Sequence, residues 1–235
     1  MKEVIVGHGG DYLSFKEIDF SIIANDFRFL PFYRDDLFLG MQAMNIGIID
    51  PNITQYEYIL LETYIEKEKT PSFEAMTVGA FSQMWIFALY EILRLWRDRR
   101  YEFSKLFKNG GIELKLKKLS TDDEMNITLL DRRKQLEKYG EDQSFRNEIE
   151  YCWEQLEPVY RMVELFRMNM AKHAAPGKSN AIPMAPGYGR INMLCGALDY
   201  ELIIDRNSYE LLNRRDVADN LRNVLLNIRA NKKTP

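Results

Sequence analysis

Residues 72–108 read SFEAMTVGAFSQMWIFALYEILRLWRDRRYEFSKLFK, and their reading decides the fold. Ser72, directly after Pro71, can cap a helix by accepting from the backbone N–H groups left open in its first turn. Asn109-Gly110-Gly111 supplies the stop, because glycine enters the left-handed conformation that ends helices. Between these signals Phe81, Met84, Trp85, Phe87, Ala88, Leu89, Ile92, Leu95 and Trp96 cover most of the helix circumference. A helix that is apolar all round is a buried one. The segment is therefore expected at the centre of a helical bundle.

Helical punctuation continues on both sides. Pro31 stands at a first helical position before Phe32 to Asn45, and Gly47 closes that run. Thr54 and Glu57 have capping-box spacing, predicting a new helix that reaches about Lys69 before Pro71. Downstream, a helix is expected over about 121–139, a break at Gly140, and a resumption from about Gln143 to His173, with a kink or fresh start at Pro158. There Val159, Met162, Val163, Phe166 and Met170 mark one helical face. Residues 174–190 hold three prolines and three glycines and read as loop. The period then changes. Ile191 to Ile204 alternates like a strand, with Leu194, Leu198, Leu202 and Ile204 on one face, and Asp205-Arg206-Asn207-Ser208 turns the chain. Tyr209 to Leu212 returns as a second strand. Asn213 with Asp216 caps a last helix, about Arg214 to Ile228.

The expected fold is mainly α: a helical bundle with long central helices plus a small C-terminal β-hairpin and a final helix. It forms a single domain over 1–235, with a helical body about 12–175, a loop over 176–190, and the hairpin and C-terminal helix over 191–230.

The chain has 235 residues, 32 Lys+Arg against 35 Asp+Glu, two histidines and two cysteines. Its 46% hydrophobic content is that of a folded globular protein. Two cysteines exclude a disulfide scaffold and a four-cysteine zinc module, and Cys152 and Cys195 read as small core residues. His8, in the glycine loop Gly7-His8-Gly9-Gly10, and His173 are too few for a multi-histidine metal site, so no metal and no cofactor are expected. Met1 to Val6 lacks the apolar core of a secretory leader. The most apolar stretch, Met84 to Tyr90, is stopped by Glu91 and Arg94, short of the roughly 20 residues that span a bilayer. A cytoplasmic protein without membrane contact is the expectation.

Charge is segregated along the chain. Residues 1–80 carry 13 acids and 6 bases, a balance of −7; residues 94–118 carry 9 bases and 3 acids (+6), and residues 206–235 carry 7 and 3 (+4). Basic segments in an acidic chain either face a polyanion or form solvated helix faces.

One segment carries chemistry: Phe166-Arg167-Met168-Asn169-Met170-Ala171-Lys172-His173, at the end of an amphipathic helix and just before the Pro/Gly-rich loop. Gly177-Lys178-Ser179, further on, is no phosphate loop. Lys172 stands where that loop needs its first glycine, and a helix rather than a strand comes before it. The spacing of an arginine, five residues and a histidine at a helix end resembles the motif of the HEPN family of helical nucleases and nucleotide-binding proteins, over about residues 72–175. Met168, where the family often has a polar residue, departs from that pattern, with Asn169 one place later. The resemblance implies paired motifs in a homodimer, RNA or nucleotide as the partner, and a toxin or defence setting.

On a continuous helix Arg167 and His173 lie about 120° apart, so an early helix end or a second subunit must bring them to one place. The residue types suit cleavage of RNA by its own 2′-hydroxyl. Histidine transfers protons near neutral pH, and a guanidinium is a permanently charged fork for a phosphorane. Arg167 and His173 are thus the candidate catalytic pair, with Asn169, Glu91 and Lys172 supporting. Glu91 is a carboxylate inside the apolar helix. It either pairs with Arg94 one turn away or reaches across to orient Arg167 or His173. Two functions are carried forward. The first is a HEPN-like metal-independent endoribonuclease. The second is a non-catalytic helical module that binds nucleotide, RNA or protein and dimerises, in which His173 only complements a helix dipole.

Overall fold

The computed structural model describes residues 12–119, 126–170, 188–205 and 208–232. Among these residues seven α-helices surround one core, and a three-stranded antiparallel sheet precedes the last helix. The helices are α1 (Ser21–Asp26), α2 (Leu37–Lys67), α3 (Ser72–Lys108), α4 (Ile112–Lys118), α5 (Ile127–Glu141), α6 (Gln143–Met170) and α7 (Arg214–Lys232). The strands are β1 (Gly189–Ile191), β2 (Leu198–Ile203) and β3 (Tyr209–Leu212).

The mainly α fold follows the sequence reading, and α3 has the expected limits. Pro71 rather than Ser72 occupies its N-cap, without a side-chain cap. Gly110 takes φ +65° and the Gly111 N–H returns to the Leu106 carbonyl at 2.8 Å, the glycine stop. α3 lies between α2 and α6 and also touches α7 and β2. It is not buried all round, however. Trp85, Leu89, Ile92 and Trp96 are in the core, while Phe81, Met84 and Leu95 are exposed.

The first long helix corrects the sequence reading most. Pro31 does not start it. Residues 31–35 are a turn in which Phe32 takes φ +73°. A left-handed conformation costs a side-chain-bearing residue about 1–2 kcal/mol. Phe32 offsets that by burying its ring against Trp96, Phe103 and Phe145. The helix starts after Asp36, whose carboxylate accepts from the Leu39 N–H at 2.9 Å. It then runs unbroken through Gly47 and Pro51. Gly47 does not close it. A Cβ there would lie 2.1 Å from the Ala24 nitrogen, so the glycine lets α1 cross with backbone against backbone. Thr54 and Glu57 are no capping box. Both are mid-helix and fully buried.

In the second half, α5 continues through Gly140, and the break comes at Asp142, whose carboxylate accepts from the Phe145 N–H at 3.1 Å and caps α6. α6 is continuous across Pro158. The predicted first strand divides in two. β1 and β2 pair with Arg190 opposite Asp199, and β2 pairs with β3 with Glu201 opposite Leu211. Leu198, Tyr200 and Leu202 face the core, whereas Leu194 and Ile204 are exposed. In the intervening turn Gly196 takes φ +75°, and a Cβ there would sit 1.9 Å from the Glu57 carbonyl oxygen of α2. α7 begins with the expected reciprocal cap: Asp216 N–H to the Asn213 side chain at 2.8 Å, and Asn213 N–H to the Asp216 carboxylate at 3.3 Å. Cys152 and Cys195 are buried free thiols, and burial pushes each up to about 12.

Candidate functional site

The apolar face of α6 places Val159, Met162, Val163 and Phe166 in the core. Arg167, one residue further round in the last turn, is turned outward and exposed. Its guanidinium lies 5.0 Å from the centroid of the Tyr90 ring on α3. Tyr90 stacks on Tyr160 of α6 at 5.8 Å, and Arg97 lies 4.7 Å over Tyr160. Each of two stacked rings thus carries one arginine, and each such contact contributes about 0.5–1 kcal/mol at an exposed site. Tyr160 donates to Glu164 at 2.6 Å, and burial followed by that carboxylate raises its phenol well above the usual range.

The supporting residues are already engaged. Asn169 donates to the Ile203 carbonyl at 3.2 Å and accepts from the Ile203 N–H at 2.9 Å, and it also donates to the Leu165 carbonyl. Its amide joins the end of α6 to the end of β2, and both of its N–H donors are used there. Glu91 forms the local pair: Arg94 donates to it at 2.7 Å and also reaches Asp98 at 3.0 Å. It does not orient Arg167. Lys172 and His173 lie outside the described residues, as does His8.

The charge segregation has a tertiary explanation. The basic helices close onto acids, many of them from the acidic first third of the chain. Arg99 pairs with Asp36 at 3.0 Å, Arg229 with Asp26 at 2.9 Å, and Arg100 with Glu150. Arg214 is fully buried. It donates to both oxygens of Glu57 at 2.7 Å, to Thr54 at 2.8 Å and to Asp50, which Arg222 also holds. Burial pulls the Arg214 guanidinium down, but the Glu57 and Asp50 carboxylates outweigh it and hold it above the ordinary arginine range. Sequence reading missed this network, although two carboxylates seven residues apart in the otherwise uncharged stretch 37–61 of α2 were a usable signal. The arginines of the basic segments are therefore largely neutralised in place. Lys105, Lys108, Lys117 and Lys118, at the α3–α4 end, are exposed and hold no carboxylate among the described residues.

Arg94, Arg97, Arg100 and Arg161 each hold a carboxylate. Among the described residues Arg167 holds none. The Tyr90 ring lies beneath its guanidinium. Among the described residues no three histidine, cysteine or acidic side chains are grouped to hold a metal ion. Compared with protein-family models, curated proteins and solved structures, the chain matches none.

Proposed function

We propose that this protein is a HEPN-like, metal-independent ribonuclease in which Arg167 stabilises the phosphorane and His173 transfers the proton. The observation that supports the reading is the state of Arg167: exposed, seated on Tyr90 and without a carboxylate partner among the described residues. In the reaction His173 takes the proton of a 2′-hydroxyl as its oxygen attacks the adjacent phosphorus. Arg167 meets the charge that develops on the phosphoryl oxygens. The 5′-oxygen leaves and gains a proton, giving a 2′,3′-cyclic phosphate and a 5′-hydroxyl. Asn169 and Glu91 have no part in this scheme, since each has a structural engagement.

The test is incubation of purified protein with RNA in the presence of a chelator, with Arg167→Ala and His173→Ala in parallel. Loss of a single proton-transfer or charge-stabilising group is expected to lower cleavage by about 100-fold or more. Cleavage unchanged by both substitutions removes the assignment.

One observation favours the second reading, a non-catalytic helical docking module. α2 and α3 expose a long face of apolar side chains, a feature of interaction surfaces. Intact RNA under every condition would decide for that reading.

A further inference from the structure

The outer side of the α2–α3 pair has two chemical characters, one following the other. Between Leu37 and Leu61, α2 carries two charged residues, Asp50 and Glu57, and both are buried on Arg214. Between Ala75 and Tyr90, α3 carries none. Leu37, Met41, Met44, Ile48 and Ile59 are exposed on α2, and helical spacing puts them within about 60° of arc. On α3, Phe81 and Met84 extend the face, and the rings of Tyr56 and Phe81 join the two helices at 5.7 Å. The row then turns acidic. Glu62 and Glu66 continue it one and two turns beyond Ile59. Both are exposed, and neither forms an ion pair among the described residues. At the opposite end the carboxylates are taken: Glu91 and Asp98 hold Arg94, and Asp36 holds Arg99.

We propose that this face docks an amphipathic helix of another protein, with the apolar side of that helix on the Met41–Met84 surface and its Lys or Arg on Glu62 and Glu66. Two independent observations select that occupant. The first is the unpaired charge at one end only. Carboxylates four residues apart on a helix attract cations and reject an acidic partner. The uncharged runs of a second copy have no Lys or Arg to answer them. An anionic bilayer repels them, whereas helices that lie on such bilayers carry Lys and Arg.

The second observation is the residue type. Met41 and Met44 on α2 and Met76 and Met84 on α3 are all exposed. An unbranched thioether side chain reshapes itself to an incoming apolar surface, so methionine suits a face that receives helices. The exposed amides of Asn45, Asn52 and Gln55 stand among them. A polypeptide can satisfy these groups, and acyl chains cannot. The length also fits. The uncharged run of 16 residues on α3 spans about 24 Å, the reach of a four-turn helix laid in the groove between α2 and α3. Tyr90, beneath Arg167, lies about 120° from Met84 around α3. The proposal therefore stands on this face and does not rest on the ribonuclease reading.

Fluorescence anisotropy on the full chain tests it with two labelled, designed helices of ~16 residues. Each has leucine and alanine on one side and glutamine on the other; one ends in lysines and its counterpart ends in glutamates. The wild type is expected to bind the lysine-ended helix with micromolar affinity. Ile48→Ser and Met84→Ser each remove apolar contact and should weaken it ~10-fold or more. These residues are 56% and 67% exposed, so circular dichroism should report unchanged helicity. The double variant Glu62→Lys/Glu66→Lys should turn the preference toward the glutamate-ended helix, a change of ~10-fold. No binding of the lysine-ended helix at ~100 μM overturns the proposal, at the weak end of the scale for a specific contact. So does binding that neither serine variant weakens, or a preference that the double variant leaves in place. A wild-type dimer in sedimentation velocity that Ile48→Ser dissociates gives the face to a second copy and overturns it too. Flotation with phosphatidylcholine–phosphatidylserine vesicles has the same force, if the wild type binds them and Ile48→Ser does not.

Discussion

Replacing Arg214 with methionine tests the clamp between the two ends of the fold. Methionine keeps much of the side-chain volume but supplies no hydrogen bond and no charge. Asp50 retains Arg222, whereas Glu57, fully buried, loses the paired donors that hold both of its oxygens at 2.7 Å. Stranding one partner of a buried ion pair costs about 3–5 kcal/mol. Against a total stability of about 5–15 kcal/mol that is a large fraction. For a chain of this length it lowers the melting temperature by roughly 6–20 °C. Urea unfolding followed by circular dichroism measures the loss. The double variant Arg214→Met/Glu57→Gln separates the stranded charge from the lost packing, and it should regain about 2 kcal/mol or more. A single variant within about 1 kcal/mol of wild type refutes the reasoning. So does a double variant no more stable than the single one.

Three further outcomes are expected. Gly196→Ala forces a Cβ into the Glu57 carbonyl at a φ of +75°, so it should destabilise by more than the ~1–2 kcal/mol of the conformational strain alone; thermal melting checks this. Asn169→Ala removes both bonds to the Ile203 backbone and should cost about 2 kcal/mol, while the cleavage rate per folded molecule stays that of wild type. Asp216 is pushed up to about 6, chiefly by burial and then by Asp199 and Asp219, against the bonds from Tyr12 and Asn213. Because the folded state holds this proton more tightly than the unfolded chain, its contribution is full below about pH 4 and is lost as the pH rises through about 6. Asp216→Asn should flatten the stability profile in that window, by at most about 3 kcal/mol; urea midpoints across pH measure it.

The elements that could be read from the sequence are those fixed by local physics. The α3 stop at Gly110-Gly111, the Asn213–Asp216 cap, the apolar stripe after Pro158 and the helix–strand change near 190 depend on neighbours within a turn or two. Failures arose where a distant partner overrules a local signal. Gly47 resembles a terminator, yet its missing side chain is needed by α1. Thr54 and Glu57 resemble a cap, yet they answer an arginine 160 and 157 residues away. Pro31 resembles a helix start because nothing nearby reports that Phe32 will adopt a positive φ to reach Trp96. The candidate site was legible only in part. The position of Arg167 at an exposed helix end follows from periodicity. The engagement of Asn169 depends on β2, which lies across a 17-residue stretch outside the described residues.

The Arg214 clamp also constrains how the chain can be made. Glu57 and Asp50 emerge from the ribosome long before the arginines that answer them, which are 157 and 172 residues later. At about 5–20 residues per second that is a wait of roughly 8–35 s. During this interval α2 can form its turns, but it cannot bury its acidic face without stranding two carboxylates. Final closure therefore belongs to the end of synthesis. A ribosome stalled before residue 214 would hold a chain with an open, water-seeking seam, recognisable to proteases and chaperones as unfinished.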